Sequence, residues 1–253
     1  MVKSLFDLTG RVALVTGAGQ GLGRGYAGAL AGAGATVVCL DKDLPATRQT
    51  MEMNKQGDAQ TEVVQCDITD LARIKEVLKS IKNCYGRLDI LVNNAGVEIA
   101  EEILDVTPEH YDQIMAVNLK GLFFTAQEAA RYMIAQKSGK IINQGSLGSF
   151  IGLAGSSVYC ASKGGLLQFT RALSIELARH NIQVNAIAPG IIETEMAKTN
   201  FPAFSLKEQT RATPAGRLGT VEDLNGVISF LCSEESSFIV GQIIAVDGGY
   251  TMI

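Results

Sequence analysis

The run RVALVTGAGQGLG, residues 11–23, decides the fold. Its opening six residues are almost wholly apolar, the mark of a short strand buried on both faces. The glycines lead straight into an Ala- and Gly-rich helical pattern at 21–34, and a second apolar run, ATVVCL, fills 35–40. Strand, glycine turn and helix in that order let the backbone approach a pyrophosphate and aim free amides and the positive end of a helix dipole at it. A glycine turn alone is a weak sign, and Arg24 occupies the last glycine position of a GxGxxG fingerprint. Asp41, ending the second strand, strengthens it. A carboxylate there accepts hydrogen bonds from an adenosine ribose diol and repels a 2'-phosphate, which favours NAD over NADP; Lys42 beside it pulls the other way.

Working outward, apolar runs recur at 61–66, 88–92, 140–143, 183–188 and 242–246, with helical patterns near 70–84, 111–136 and 157–180. Apolar strands alternating with helices predict an α/β fold: a Rossmann-type, doubly wound parallel sheet of about seven strands with helices on both faces. No linker or repeat interrupts residues 1–253, so one domain is expected. The least patterned part, 193–216, sets Phe201, Pro202 and Phe204 in a polar surround and reads as a flap over a site.

Composition sets limits. A net charge of -4 argues against nucleic acid or an anionic membrane as partner. The chain reaches its first strand without a signal-peptide core, and no apolar run approaches the ~18 residues of a membrane span, so a cytoplasmic protein is expected. Five scattered cysteines and two distant histidines, His110 and His180, predict a reducing compartment and no metal site.

The chemistry is expected in SVYCASKGGLLQFTRALSIEL, residues 157–177. Tyr159 and Lys163 stand four apart, one turn along one helix face, where an ammonium favours the phenolate. Bringing a phenol from ~10 to about 7 takes roughly 4 kcal/mol, within reach of that ammonium with help from an oxidised nicotinamide. Cys160 is read as a packing residue.

These residues and five motifs resemble the short-chain dehydrogenase/reductase family over essentially the whole chain. TGAGQGLG is similar to its cofactor turn, with Gly17, Gly21 and Gly23 on the glycine positions and Gln20 where NADP-preferring members often carry a base; Leu22 lies inside the turn. NNAG at 93–96, PGIIET at 189–194 and VDGG at 246–249 match further hallmarks, and Asn118, Ser146, Tyr159 and Lys163 fall on the catalytic tetrad. The resemblance implies that Lys163 also holds the nicotinamide ribose, and that Asp67 and Ile68 contact adenine. Asn94, Gly96, Pro189 and Gly190 then neighbour the cofactor, and Ile192 and Thr194, just after them, fix the carboxamide. Asp67 is equally a candidate helix cap. Ser146 would bond the reacting oxygen. Asn118 either holds a water linked to Lys163 at a helix kink or makes an interhelical hydrogen bond. A homotetramer built on helices 111–136 and 157–180 is also implied.

The expected reaction is hydride transfer between a nicotinamide and a secondary alcohol or ketone, with Tyr159 as acid/base. Glu98, Ser146, Leu147, Phe150, Tyr159 and Met196 are the candidate substrate contacts, with Leu153 on the same wall. Glu98 is either an acid at the substrate mouth, suited to a polyhydroxylated partner, or a solvated loop charge. A small polyol or sugar is the expected substrate and a carrier-bound 3-oxoacyl thioester the alternative, for which Lys137, Arg179 and His180 form an incomplete basic match. A non-catalytic NAD-binding sensor predicts decay in the tetrad, and an epimerase predicts a further C-terminal region; the sequence shows neither.

Overall fold

Alternation along each strand divides the core in two. In the computed structural model, which describes residues 5–54, 61–195, 197 and 206–252, Ala13 and Val15 of β1 (Val12–Thr16) join Val37 and Cys39 of β2 (Thr36–Asp41) on one face. Tyr26, Ala27 and Leu30 of α1 (Gly21–Gly32) cover that face. Val12, Leu14, Val38 and Leu40 point the other way, under α3 (Leu71–Tyr85), α5 (Leu122–Gln136) and α6 (Ser157–Ala178). Burial on both sides is why the strands read as unbroken apolar runs.

Five further strands complete the sheet: β3 (Thr61–Gln65), β4 (Ile90–Asn93), β5 (Gly139–Gln144), β6 (Ile182–Pro189) and β7 (Ile243–Val246). The seven run parallel in the order β3-β2-β1-β4-β5-β6-β7. The order reverses direction between β1 and β4, and a crevice opens at such a switch point beyond the carboxyl ends of the strands. Gly17 lies there against Ala95, whose Cα is 2.8 Å from where a Cβ on Gly17 would stand.

Three expectations on the helices are corrected. α2 (Leu44–Met53) follows Asp43, whose carboxylate accepts from the Ala46 N–H at 3.0 Å, and was not foreseen because its apolar stripe is thin. The short α8 (Asn225–Cys232), following α7 (Leu206–Ala212), was hidden in an apolar run. The helix expected at 111–136 is three pieces: α4 (Pro108–Met115), a π-helical turn (Ala116–Gly121) and α5. Thr107 caps α4, accepting from the His110 N–H at 3.2 Å, which moves the start ahead of Tyr111. Of the expected flap, residues 196 and 198–205 lie outside the described residues, so Met196, Phe201 and Phe204 do too.

Candidate active site

The glycine turn is built by close approach. A Cβ at Gly23 would stand 2.0 Å from the Gly17 carbonyl oxygen and 2.6 Å from Asn94 Nδ2, and Gly17 and Gly21 have φ of +66° and +53°. Side chains are excluded at these places by contact and by backbone conformation. Asn94 ties the turn to β4: its Nδ2 donates to the carbonyls of Thr16 (3.0 Å) and Gly17 (3.1 Å), and its N–H donates to Thr16 Oγ1 at 3.0 Å. Thr16 Oγ1 also accepts from the Ala95 N–H at 3.1 Å, a role the sequence reading missed because the residue is simply the last of its strand. Gln20 is the N-cap of α1, and the first-turn amides of Gly21, Leu22 and Gly23 belong to the groups a helix leaves without internal partners. The Leu22 side chain packs against the core below.

Asp41 sits beside this turn: Oδ2 accepts from the Gly19 N–H at 2.9 Å and Oδ1 from the Asp43 N–H at 3.0 Å. Arg24, on the missing glycine position, folds back so that its guanidinium donates to the Gly19 carbonyl at 2.6 Å and to Thr50 Oγ1 at 3.0 Å. A side chain there braces the loop from behind, which is how the turn tolerates it. Asp67 is exposed and closes its own turn, accepting at Oδ1 from both the N–H and Oγ1 of Thr69 at 2.8 Å; the cap of α3 is Asp70. Ile68 is buried, packed beside Gly121 of the π-turn. The segment after β6 returns to the crevice. Thr194 Cγ2 lies 3.7 Å from the Cβ position of Gly21, Gly190 follows Pro189 against Asp247, and Ile192 bridges to Gly219.

The four tetrad candidates come together at the carboxyl end of β5. Lys163 is buried, and its Nζ donates to the Gln144 carbonyl at 2.8 Å and stands 5.7 Å from the centre of the Tyr159 ring. Gln144 escaped the sequence reading because it acts through its main chain. Ser146 Oγ accepts from the Gly148 N–H at 3.2 Å, and the Ser146 side chain favours the ionised form of the Tyr159 phenol. Asn118 lies in the π-turn, fully buried: Oδ1 accepts from the Val97 N–H and Nδ2 donates to the Val97 carbonyl, both at 2.8 Å, while Nδ2 also reaches Ser162 Oγ of α6 at 3.2 Å. The bond to Ser162 is the interhelical hydrogen bond given as the alternative, and the helix is irregular at Asn118. Gly96 fits against Asn118 and Lys163, whose Nζ is 3.5 Å from its Cβ position.

Burial pushes the Tyr159 phenol up from its ordinary value in the free protein, opposed by the Ser146 hydrogen bond and reinforced by the Glu98 charge. Lys163 is itself pushed down to about 8 by burial, with Glu98 opposing. Both groups lose water in the same pocket, and the second positive charge that the sequence reading calls on comes only with an oxidised nicotinamide.

Among the substrate candidates, Leu147 is buried, Phe150 is exposed, and Glu98 accepts from Ser156 Oγ at 2.7 Å. Gly148 lies between Leu153 and Tyr159, with their nearest atoms 3.2 and 3.5 Å from its Cβ position, and Cys160 Sγ 3.3 Å away fills the same wall.

The cradle fits a dinucleotide. Its glycines leave no room for side chains, and it has a carboxylate at the diol end and a buried lysine at the other. Comparison with known proteins agrees. The family described as enoyl-(acyl-carrier-protein) reductase matches residues 17–251. The NAD-dependent glycerol dehydrogenase of Listeria innocua is 39% identical, over 98% of this chain and 96% of that protein. A 3-oxoacyl-(acyl-carrier-protein) reductase of Thermotoga maritima is 38% identical, over 96% and 98%. The gluconate 5-dehydrogenase of Burkholderia cenocepacia, solved with NADP and tartrate, is 37% identical with a TM-score of 0.92, covering 98% of each chain. The chain belongs to the short-chain dehydrogenase/reductase family and is an NAD(P)-dependent oxidoreductase acting on alcohol groups.

Proposed function

We propose that the protein reversibly oxidises a secondary alcohol of a small polyol, sugar or related hydroxy compound, with NAD as the preferred cofactor. The observation that carries this is the cluster of Ser146, Tyr159 and Lys163 at the carboxyl end of β5, with the lysine held by the Gln144 carbonyl 5.7 Å from the centre of the tyrosine ring. The Tyr159 oxygen takes the alcohol proton in oxidation and returns it in reduction. Ser146 donates to the reacting oxygen and stabilises charge that develops there. A bound nicotinamide supplies the acceptor for the hydride of the alcohol carbon. Gly17, Gln20, Gly21, Leu22, Gly23, Asn94, Gly96, Pro189, Gly190, Ile192 and Thr194 line the dinucleotide's path in this reading, with Asp67 and Ile68 at its adenine end.

Asp41 supports NAD, because a second anion beside a carboxylate at the ribose is repelled. The polyol reading is supported by the glycerol and gluconate dehydrogenases among the relatives. The competing reading, reduction of a 3-oxoacyl thioester, is supported by the Thermotoga relative. Apolar side chains left on the outer side of the π-turn and α5, Phe123 and Phe124 among them, support association into a homotetramer, and five free cysteines fit the reducing cytoplasm.

The test is initial-rate turnover with two panels. One pairs NAD or NADP with polyols, sugars and simple secondary alcohols; the other pairs NADH or NADPH with 3-oxoacyl thioesters and small ketones. Oxidation of polyols with NAD, rising with pH as the phenolate forms and lost in Tyr159→Phe while NADH still binds, is the expected result. Faster reduction of thioesters would replace the substrate assignment, and a preference for NADPH would mean that Lys42 outweighs Asp41.

A further inference from the structure

The loop leaving β4 is fixed at three successive residues. Gly96 is wedged against Asn118 and Lys163, and Val97 is held by Asn118 through both main-chain groups at 2.8 Å. Glu98 is then pinned by Ser156 Oγ, 2.7 Å from its Oε1. Ser156 is the buried N-cap of α6, yet its hydroxyl makes no capping bond; it is committed to Glu98. The carboxylate is therefore anchored at the start of the helix that carries Tyr159 three residues later, where a helix dipole favours negative charge. Its field reaches both Tyr159 and Lys163. The bond to Ser156 ties this carboxylate to the helix that carries Tyr159.

We propose that Glu98 is a charge filter on the substrate: a neutral polyol is admitted, and a sugar acid or other anion carrying its carboxylate near the reacting carbon is rejected. The proposal rests on the reading of Tyr159 as the acid/base and narrows the substrate class within it. Hydroxyls near the reacting carbon find a hydrogen-bond acceptor in Glu98, whereas a carboxylate there meets a like charge on a half-buried side chain. Two such charges ~6 Å apart at an effective dielectric near 20 repel by an amount worth on the order of 100-fold in affinity.

The test compares glycerol with glycerate, three-carbon chains that differ by a carboxylate beside the secondary hydroxyl. Binding of each to the NADH-loaded protein is measured by calorimetry for wild type and Glu98→Gln, which keeps size and hydrogen-bonding shape. Expected is tighter binding of glycerate by at least about tenfold in the variant, with glycerol unchanged within about threefold. The gain in wild type on raising salt should also be confined to glycerate. Glycerate binding that is unchanged in Glu98→Gln, or absent from both proteins, overturns the filter. Oxidation of polyols is read separately with NAD. If they are not oxidised while glycerate binding still tightens, the polyol assignment falls and the filter stands; if they are oxidised with no change in glycerate binding, the reverse holds.

Discussion

Strand β5 has a buried lysine at each end. Lys140, near its start, donates to Ser236 Oγ at 3.1 Å, while Lys163 donates to the carbonyl of Gln144, its last residue, at 2.8 Å. Burial pushes both ammonium groups below their ordinary value, and both are partly restored by acids, Glu234 for Lys140 and Glu98 for Lys163. A perturbed lysine thus does not by itself mark a site. The neighbours separate the two. Lys140 is closed in by Ser236, Cys232 and Glu234, beside the Arg11 that pairs with Asp89 and Glu234. Lys163 stands by the Tyr159 phenol and, with Asn118 of the π-turn, against Gly96, the groups on which the proposed reaction calls. One end of the strand is a sealed junction and the other is a workplace.

The largest expected effect breaks the symmetry outright. Lys163→Met should lower kcat by at least about a thousandfold, and Lys140→Met should leave it within about threefold; comparable losses in initial-rate assays would mean that the two ends are coupled. Next comes the pH dependence of stability, where the lysines should agree in sign. Between pH 8 and 10.5 the unfolded chain holds a proton on residue 163 that the folded one has released, so stability rises with pH across that window. Denaturant melts should show wild type gaining up to ~3 kcal/mol relative to Lys163→Met over that range. Lys140→Met should lose a rise of the same sign, and a flat difference for either would place its ammonium in water. The smallest effect belongs to Ser236→Ala. Removing the acceptor of a buried ammonium should cost about 1–3 kcal/mol in the same melts while turnover stays as in wild type.

The strands, the glycine turn and the spacing of Ser146, Tyr159 and Lys163 were legible because each depends on side-chain type at a fixed interval. What was not legible depends on main chain or on desolvation. Gln144 serves the site through a carbonyl that any residue owns, although Tyr26 of α1 does grip its side chain, donating to Oε1 at 2.7 Å. Glu98 is an even choice in the sequence because its partner Ser156 lies fifty-eight positions away. The raised phenol could not be read from a Tyr-Lys spacing, since spacing gives the Coulomb attraction and says nothing of lost water. α2 was within reach: Asp43 followed by Leu-Pro is a capping signal ahead of a helix, with proline tolerated in the first turn.

The π-turn also constrains how this chain can change over generations. A regular helix advances about 100° per residue, and the wide turn at Ala116–Gly121 shifts that phase before α5 begins. Ala126, Ala129, Ala130 and Met133 pack with the sheet beyond it. Losing a single residue there would let the turn close into regular helix, keeping that row on the sheet but taking away the wide turn from which Asn118 grips Val97. In an alignment of descendants, gaps belong in the loops on either side, and this six-residue stretch should keep its length even where its letters drift.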